Sequence, residues 1–124
     1  MRTNLLALSL LSFLALLTFA CTPRTAISTT ERPPAEDIPV VTYADISSIL
    51  DRSCSPCHYP DKQGRVTPLD NYKAVKRHLA TVIQRVELPQ DDPGFMPYEL
   101  KREALSKAEI QQLKNWAWGG YRKG

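Results

Sequence analysis

The sequence predicts an all-α domain, on three observations. Apolar residues recur at helical spacing in three stretches: Tyr43, Ile46, Ile49 and Leu50; then Tyr72, Val75, Leu79, Val82, Ile83 and Val86; then Ile110, Leu113 and Ala117. Two of these stretches open on a capping-box pattern, Thr42 with Asp45 and Ser106 with Glu109. Ten prolines against five glycines fit kinked loops between short helices better than hairpins. A chain of 124 residues has room for one domain, and a domain so small buries too little surface to be more than marginally stable unaided.

The chain begins with an address. Arg2 precedes a charge-free, leucine-rich run over 5–20. That run is short for a membrane span, which needs roughly 20 residues, and its basic start and small Ala20 fit a secretory signal. Leu17-Thr18-Phe19-Ala20-Cys21 resembles a bacterial lipobox, with Thr18 where leucine is commoner. This makes 1–20 a lipoprotein-type signal peptide and Cys21 the lipidated residue. Ordinary cleavage leaving a free Cys21, or an uncleaved anchor, are the alternatives. Each of them puts the domain outside the cytoplasm, on the periplasmic side, and lipidation would hold it at a membrane by more than one acyl chain. Residues 21–40 are rich in Thr, Pro, Glu and Arg without any period and are expected to be a proline-rich tether, reaching ~3 Å per residue when extended. The domain proper is expected over 41–124.

The first helix is expected from Thr42 to Ser53. It delivers Cys54-Ser55-Pro56-Cys57-His58, the Cys-x-x-Cys-His signature of covalent haem attachment. Two thiols at this spacing reach the vinyl groups along one porphyrin edge, and the adjacent imidazole supplies an axial nitrogen. On a helical turn, positions i, i+3 and i+4 share a face, which would aim Cys54, Cys57 and His58 at one flat ligand. Two other uses of paired cysteines fit less well. A closed zinc site needs four ligands, and beyond the motif only His78 and Cys21 remain. A thioredoxin-like pair should sit in a βαβ pattern, and none surrounds it.

Residues 59–69 lack a period and form a loop, in which a carbonyl near Pro68 is a candidate acceptor for the second ring nitrogen of His58. Asp70 is the expected N-cap of a second helix running to about Glu87, stopped by Leu88-Pro89. His78 falls about 90° from the centre of that helix's stripe, at 100° per residue, and reads as a boundary histidine; its sharper reading is a second haem ligand. Of the two methionines, Met1 leaves with the signal. Met96, in Pro93-Gly94-Phe95-Met96-Pro97, is therefore the one thioether an iron could take, in a loop stiffened by proline. Phe95 is a candidate shield for the haem edge. The last helix begins at Ser106, with Leu105 and Ile110 as a hydrophobic staple and Gly119-Gly120 as its end. Trp116 and Trp118 flank its stripe, one expected to pack on the first helix or the haem periphery, the other to face a partner.

The attachment motif, the Phe95-Met96-Pro97 loop and the ending Leu105-Ser106-Lys107-Ala108-Glu109-Ile110 with Trp116 and Gly119-Gly120 make the chain resemble a small class I c-type cytochrome. It resembles in particular the exported bacterial single-haem domains that lead into the motif with Ile-Leu-x-x-x-Cys. The likeness spans roughly Tyr43 to Tyr121. It implies a small cytochrome c-like fold of about three main helices around one covalently bound haem c, with the first and last helices crossing at one edge. It also implies thioethers at Cys54 and Cys57, His58 as proximal ligand and Met96 as distal ligand. The interval from His58 to Met96 is shorter than in larger members, and of their glycine-proline pair after the histidine only Pro68 is present.

The expected function is a membrane-tethered electron carrier between extracytoplasmic redox proteins, not an enzyme, since no base, nucleophile or substrate pocket is evident. The alternative is a haem-based sensor or peroxidase-like protein with a labile distal ligand and His78 as acid or base. The 16 basic residues, one of them in the leader, against 13 acidic give too mild a balance for nucleic acid, and no basic run interleaves with aromatics. Electrostatic steering toward partners should be modest. The chain without haem is expected to be largely unfolded.

Overall fold

A computed structural model describes residues 32–124; the leader, Cys21 and the first part of the tether lie outside the described residues. The described chain is all-α. Three helices, α1 (Tyr43–Cys54), α2 (Tyr72–Val86) and α3 (Lys107–Trp118), are joined by loops with short 3-10 turns at Pro60–Lys62 and Tyr98–Leu100. No strand occurs among the described residues; a single bridge pairs Thr42 with Arg122.

Each helix starts where a side chain satisfies its free amides. The Asp45 carboxylate accepts from Thr42 N at 2.8 Å and from the Thr42 hydroxyl at 2.7 Å, so the shorter acid does reach back. Glu109 accepts from Ser106 N at 2.8 Å while Ser106 Oγ accepts from Glu109 N at 3.3 Å, completing the box of α3. For α2 the cap is Asn71, not Asp70. Asn71 Oδ1 accepts from Ala74 N at 3.0 Å, and Asp70 instead accepts from the Asn71 amide at 2.9 Å, steadying the cap. At the far end of α3, Gly119 caps the helix and Gly120 takes φ +85°, a left-handed turn that favours glycine.

The core gathers around Trp116. It is fully buried with Ile46, Leu50, Val75, Leu79 and Leu113, each worth ~1.5–3 kcal/mol over leaving it exposed. Its ring meets Tyr43 of α1 at 5.9 Å, Tyr72 of α2 at 5.8 Å and Tyr121 at 5.1 Å between centroids. Trp116 therefore lies at the centre of the buried face of α3 and does not flank it, while Ile110 and Ala117 are only half-buried. Leu113 and Trp116, three apart, set that face. The buried indole N–H donates to the Arg122 carbonyl at 2.7 Å, and the same carbonyl accepts from Tyr43 N at 2.8 Å. The C-terminal tail thereby ties α3 to the start of α1. At the opposite end of the same helix pair, Arg52 of α1 bonds Glu109 of α3 at 2.8 Å. In the described part of the proline-rich stretch, Ala35–Asp37 form one 3-10 turn, and Arg32 donates to the Trp118 carbonyl at 3.0 Å.

Candidate functional site

Cys54 is the last residue of α1, and the helix stops there for a local reason. Pro56 disfavours helical backbone at the residue before it, and Ser55 is extended at φ −79°, ψ 147°. The motif is thus a turn after the helix, not a continuation of it. His58 N donates to Cys54 O and Tyr59 N to Pro56 O, both at 3.0 Å. The turn still brings all three side chains to one place: Cys54, Cys57 and His58 line a single cavity of about 540 Å³, within the ~300–1,000 Å³ usual for ligand sites.

The loop over 59–69 closes back on the histidine. Leu69 N donates to His58 O at 2.8 Å, and His58 Nδ1 lies 2.6 Å from the carbonyl of Thr67, the residue before Pro68. A carbonyl only accepts, so Nδ1 carries a proton, the tautomer that in a neutral ring leaves Nε2 with the lone pair a metal would use. Gly64 makes this closure possible. A Cβ there would stand 2.5 Å from the Cys57 carbonyl oxygen and 2.7 Å from Tyr59 N.

Met96 lines the same cavity from the opposite part of the chain. Pro97 beside it is buried, as is Phe95 at 5 % exposure, and of these two Pro97 lines the cavity. Val66, Leu69, Val82, Val86 and Leu105 make the wall largely apolar, and its charged members are Arg85, Lys101 and Arg102. His78 also lines it, half-buried. The helical wheel placed His78 beside the core stripe, and α2 in fact has two working faces. Val75 and Leu79 lie in the core with α3, whereas His78, Val82 and Val86, at i, i+4 and i+8, line the cavity, Val82 packing against the core as well. That spacing was the available signal.

The two cysteines among the described residues are free thiols, Cys57 exposed and Cys54 half-buried. Burial pushes the Cys54 thiol up to about 11, and its place at the C-terminal end of a helix, where the dipole disfavours an anion, works in the same direction. Redox-active pairs need a stabilised thiolate; Cys54 has the opposite environment. Burial, with a smaller effect from Asp51, also raises the Tyr59 phenol. A shallower cleft of about 300 Å³, between residues 32–40 and the end of α3, offers no thiol, thioether or imidazole. Cys21 lies outside the described residues.

No family model, curated protein or solved structure matches this chain. Its function has to be read from its own residues.

Proposed function

We propose that this chain is a single-haem c-type cytochrome, exported and membrane-tethered through Cys21, that carries electrons between redox proteins outside the cytoplasm. One observation carries the reading: both thiols, the imidazole of His58 and the thioether of Met96 share the wall of one ligand-sized, mostly apolar cavity. The donor set fits haem. A porphyrin brings four nitrogens, so its iron asks the chain for two donors, and His58 and Met96 are of the types that electron-carrying cytochromes use. Cys54 and Cys57 would each add across a vinyl group, sulfur to one carbon and the thiol proton to the other. Arg85, Lys101 and Arg102 suit the carboxylates that such a ligand carries.

The bound group would supply the one-electron exchange of its iron, and the chain's residues do the rest. His58, held by Thr67, presents Nε2 in one orientation. The apolar wall excludes water. The loop and helix positions that hold both donors need little rearrangement between oxidation states.

His78 on the cavity wall favours one second reading: a ligand-binding or peroxidase-like protein in which His78 acts on a molecule at the iron. The visible spectrum of the mature protein, made with haem-attachment machinery, decides between them. A covalent low-spin haem with the weak far-red sulfur-to-iron band, unmoved by carbon monoxide, is the expected result. Ready carbon monoxide binding would move the assignment to the second reading, and absence of covalent haem would defeat both. Separately, Cys21→Ser should release the protein from the membrane fraction; unchanged partitioning would remove the lipid anchor from the proposal.

A further inference from the structure

The loop that carries Met96 is fastened to α2 at one residue. The Arg85 backbone carbonyl accepts from Met96 N at 3.2 Å, and the Arg85 guanidinium donates through Nη1 to the Gly94 carbonyl at 3.0 Å. Within the loop, Gly94 N donates to Asp92 Oδ1 at 2.7 Å and Phe95 N to Asp92 O at 2.9 Å. Residues 92–96 are therefore one tight turn, and among the described residues the hydrogen bonds tying it to α2 both end on Arg85. Gly94 permits the close approach, since a Cβ there would run into the guanidinium. Arg85 itself lines the cavity one helical turn beyond Val82.

We propose that Arg85 is the positioning residue that sets Met96 as the distal ligand, its guanidinium fixing the loop two residues before the thioether. The proposal rests on the haem reading above. A methionine side chain has three rotatable bonds and little shape of its own, so the place of its backbone decides whether the sulfur reaches the iron. A charge-assisted bond from guanidinium to carbonyl is roughly twice as strong as a neutral one, and here it spans the gap between helix and loop. The backbone bond from Met96 N survives any side-chain change at Arg85. Loss of the guanidinium should therefore loosen the loop without detaching it.

The test compares haem-loaded wild type, Met96→Ala and Arg85→Gln by far-red absorption and by the rate at which carbon monoxide binds the ferrous form. Wild type and Met96→Ala come first, because a far-red band missing from both sinks the methionine reading itself, and the proposal with it. Given the band in wild type alone, Arg85→Gln is expected to keep its covalent haem while the band weakens. Carbon monoxide should then bind on the order of tenfold faster, the change that losing one hydrogen bond from a charged donor brings. A band and a rate equal to wild type overturn the proposal, even if stability to urea falls, because a purely structural role would lower only the latter. Should Arg85→Gln not yield loaded protein, Gly94→Ala carries the same test, since its methyl displaces the guanidinium from the other side.

Discussion

At one end of the domain Trp116 fills the space between α1, α2 and the C-terminal tail, three tyrosine rings close around it, and its N–H is satisfied by the Arg122 carbonyl. At the other end the same helices line a cavity of about 540 Å³ with two thiols, two imidazoles and a thioether. The filled end completes its own packing and hydrogen bonding. The cavity end is built of donors and apolar walls, with loops setting Cys57, His58 and Met96, and helices setting Cys54 and His78. In a domain of this size the filled end supplies only part of what folding needs. The difference teaches that Trp116 organises the helices, and that the cavity end should take its rigidity from what it holds.

The sharpest way to break that contrast is to remove the attachment points. Cys54→Ala with Cys57→Ala is expected to abolish covalent haem and, with it, cooperative thermal unfolding followed by circular dichroism. A native-like transition in that form would mean that the filled end suffices alone. Next in size, Trp116→Ala should cost about 3–5 kcal/mol in urea unfolding of the haem-loaded protein, a large share of the ~5–15 kcal/mol such domains possess. Its far-red band should persist in the folded fraction, because Trp116 does not line the cavity. Loss of the band before unfolding would show the two ends to be one unit.

Gly64→Ala acts on the cavity end alone. Its methyl would strike the backbone of the attachment turn, and forcing atoms into packed space costs about 1–3 kcal/mol. The expected result is destabilisation of that order in urea, with a disturbed His58 environment by nuclear magnetic resonance. A variant as stable as wild type would show that the loop yields easily.

The smallest effect is electrostatic. Glu109 is held below its ordinary 4.5, first by the Ser106 amide and then by Arg52, and Asp45 is lowered by Thr42. A carboxylate lowered in the folded state stabilises fully above its ordinary value and loses that contribution as pH falls through the folded one. Stability should therefore decline with acidification below about 4.5, less steeply in Glu109→Gln. Equal slopes in urea midpoints between pH 6 and 3 would contradict this.

How much was legible varied with the range of the interaction. The Thr42–Asp45 and Ser106–Glu109 caps, and the three helices they help define, depend on neighbours a few residues apart and were visible in the sequence. The carbonyl beside Pro68 was a candidate only, since no sequence pattern fixes the path of the loop that brings Thr67 O to His58. Asn71 and Asp70 are both good caps, and only the backbone path placed Asn71 opposite Ala74. His78 is the boundary residue the wheel describes, but its place on the cavity wall, like the central place of Trp116, was missed for a shared reason. A helical wheel orders residues around one axis but does not say which element stands opposite each face. The turn geometry of the motif was obscured by treating Cys54 to His58 as helix, although Pro56 carried the signal against it. Arg85 lies off the apolar stripe of its helix, and its tie to Gly94 depends on a loop whose course no periodicity describes.

The central claim is that His58 and Met96 meet at one iron. X-ray absorption at the iron edge of the haem-loaded protein tests it most directly. The expected result is one sulfur and one imidazole nitrogen as axial scatterers in wild type, with the sulfur absent from Met96→Ala. Two nitrogens and no sulfur in wild type would contradict it, pointing to His78 in place of Met96.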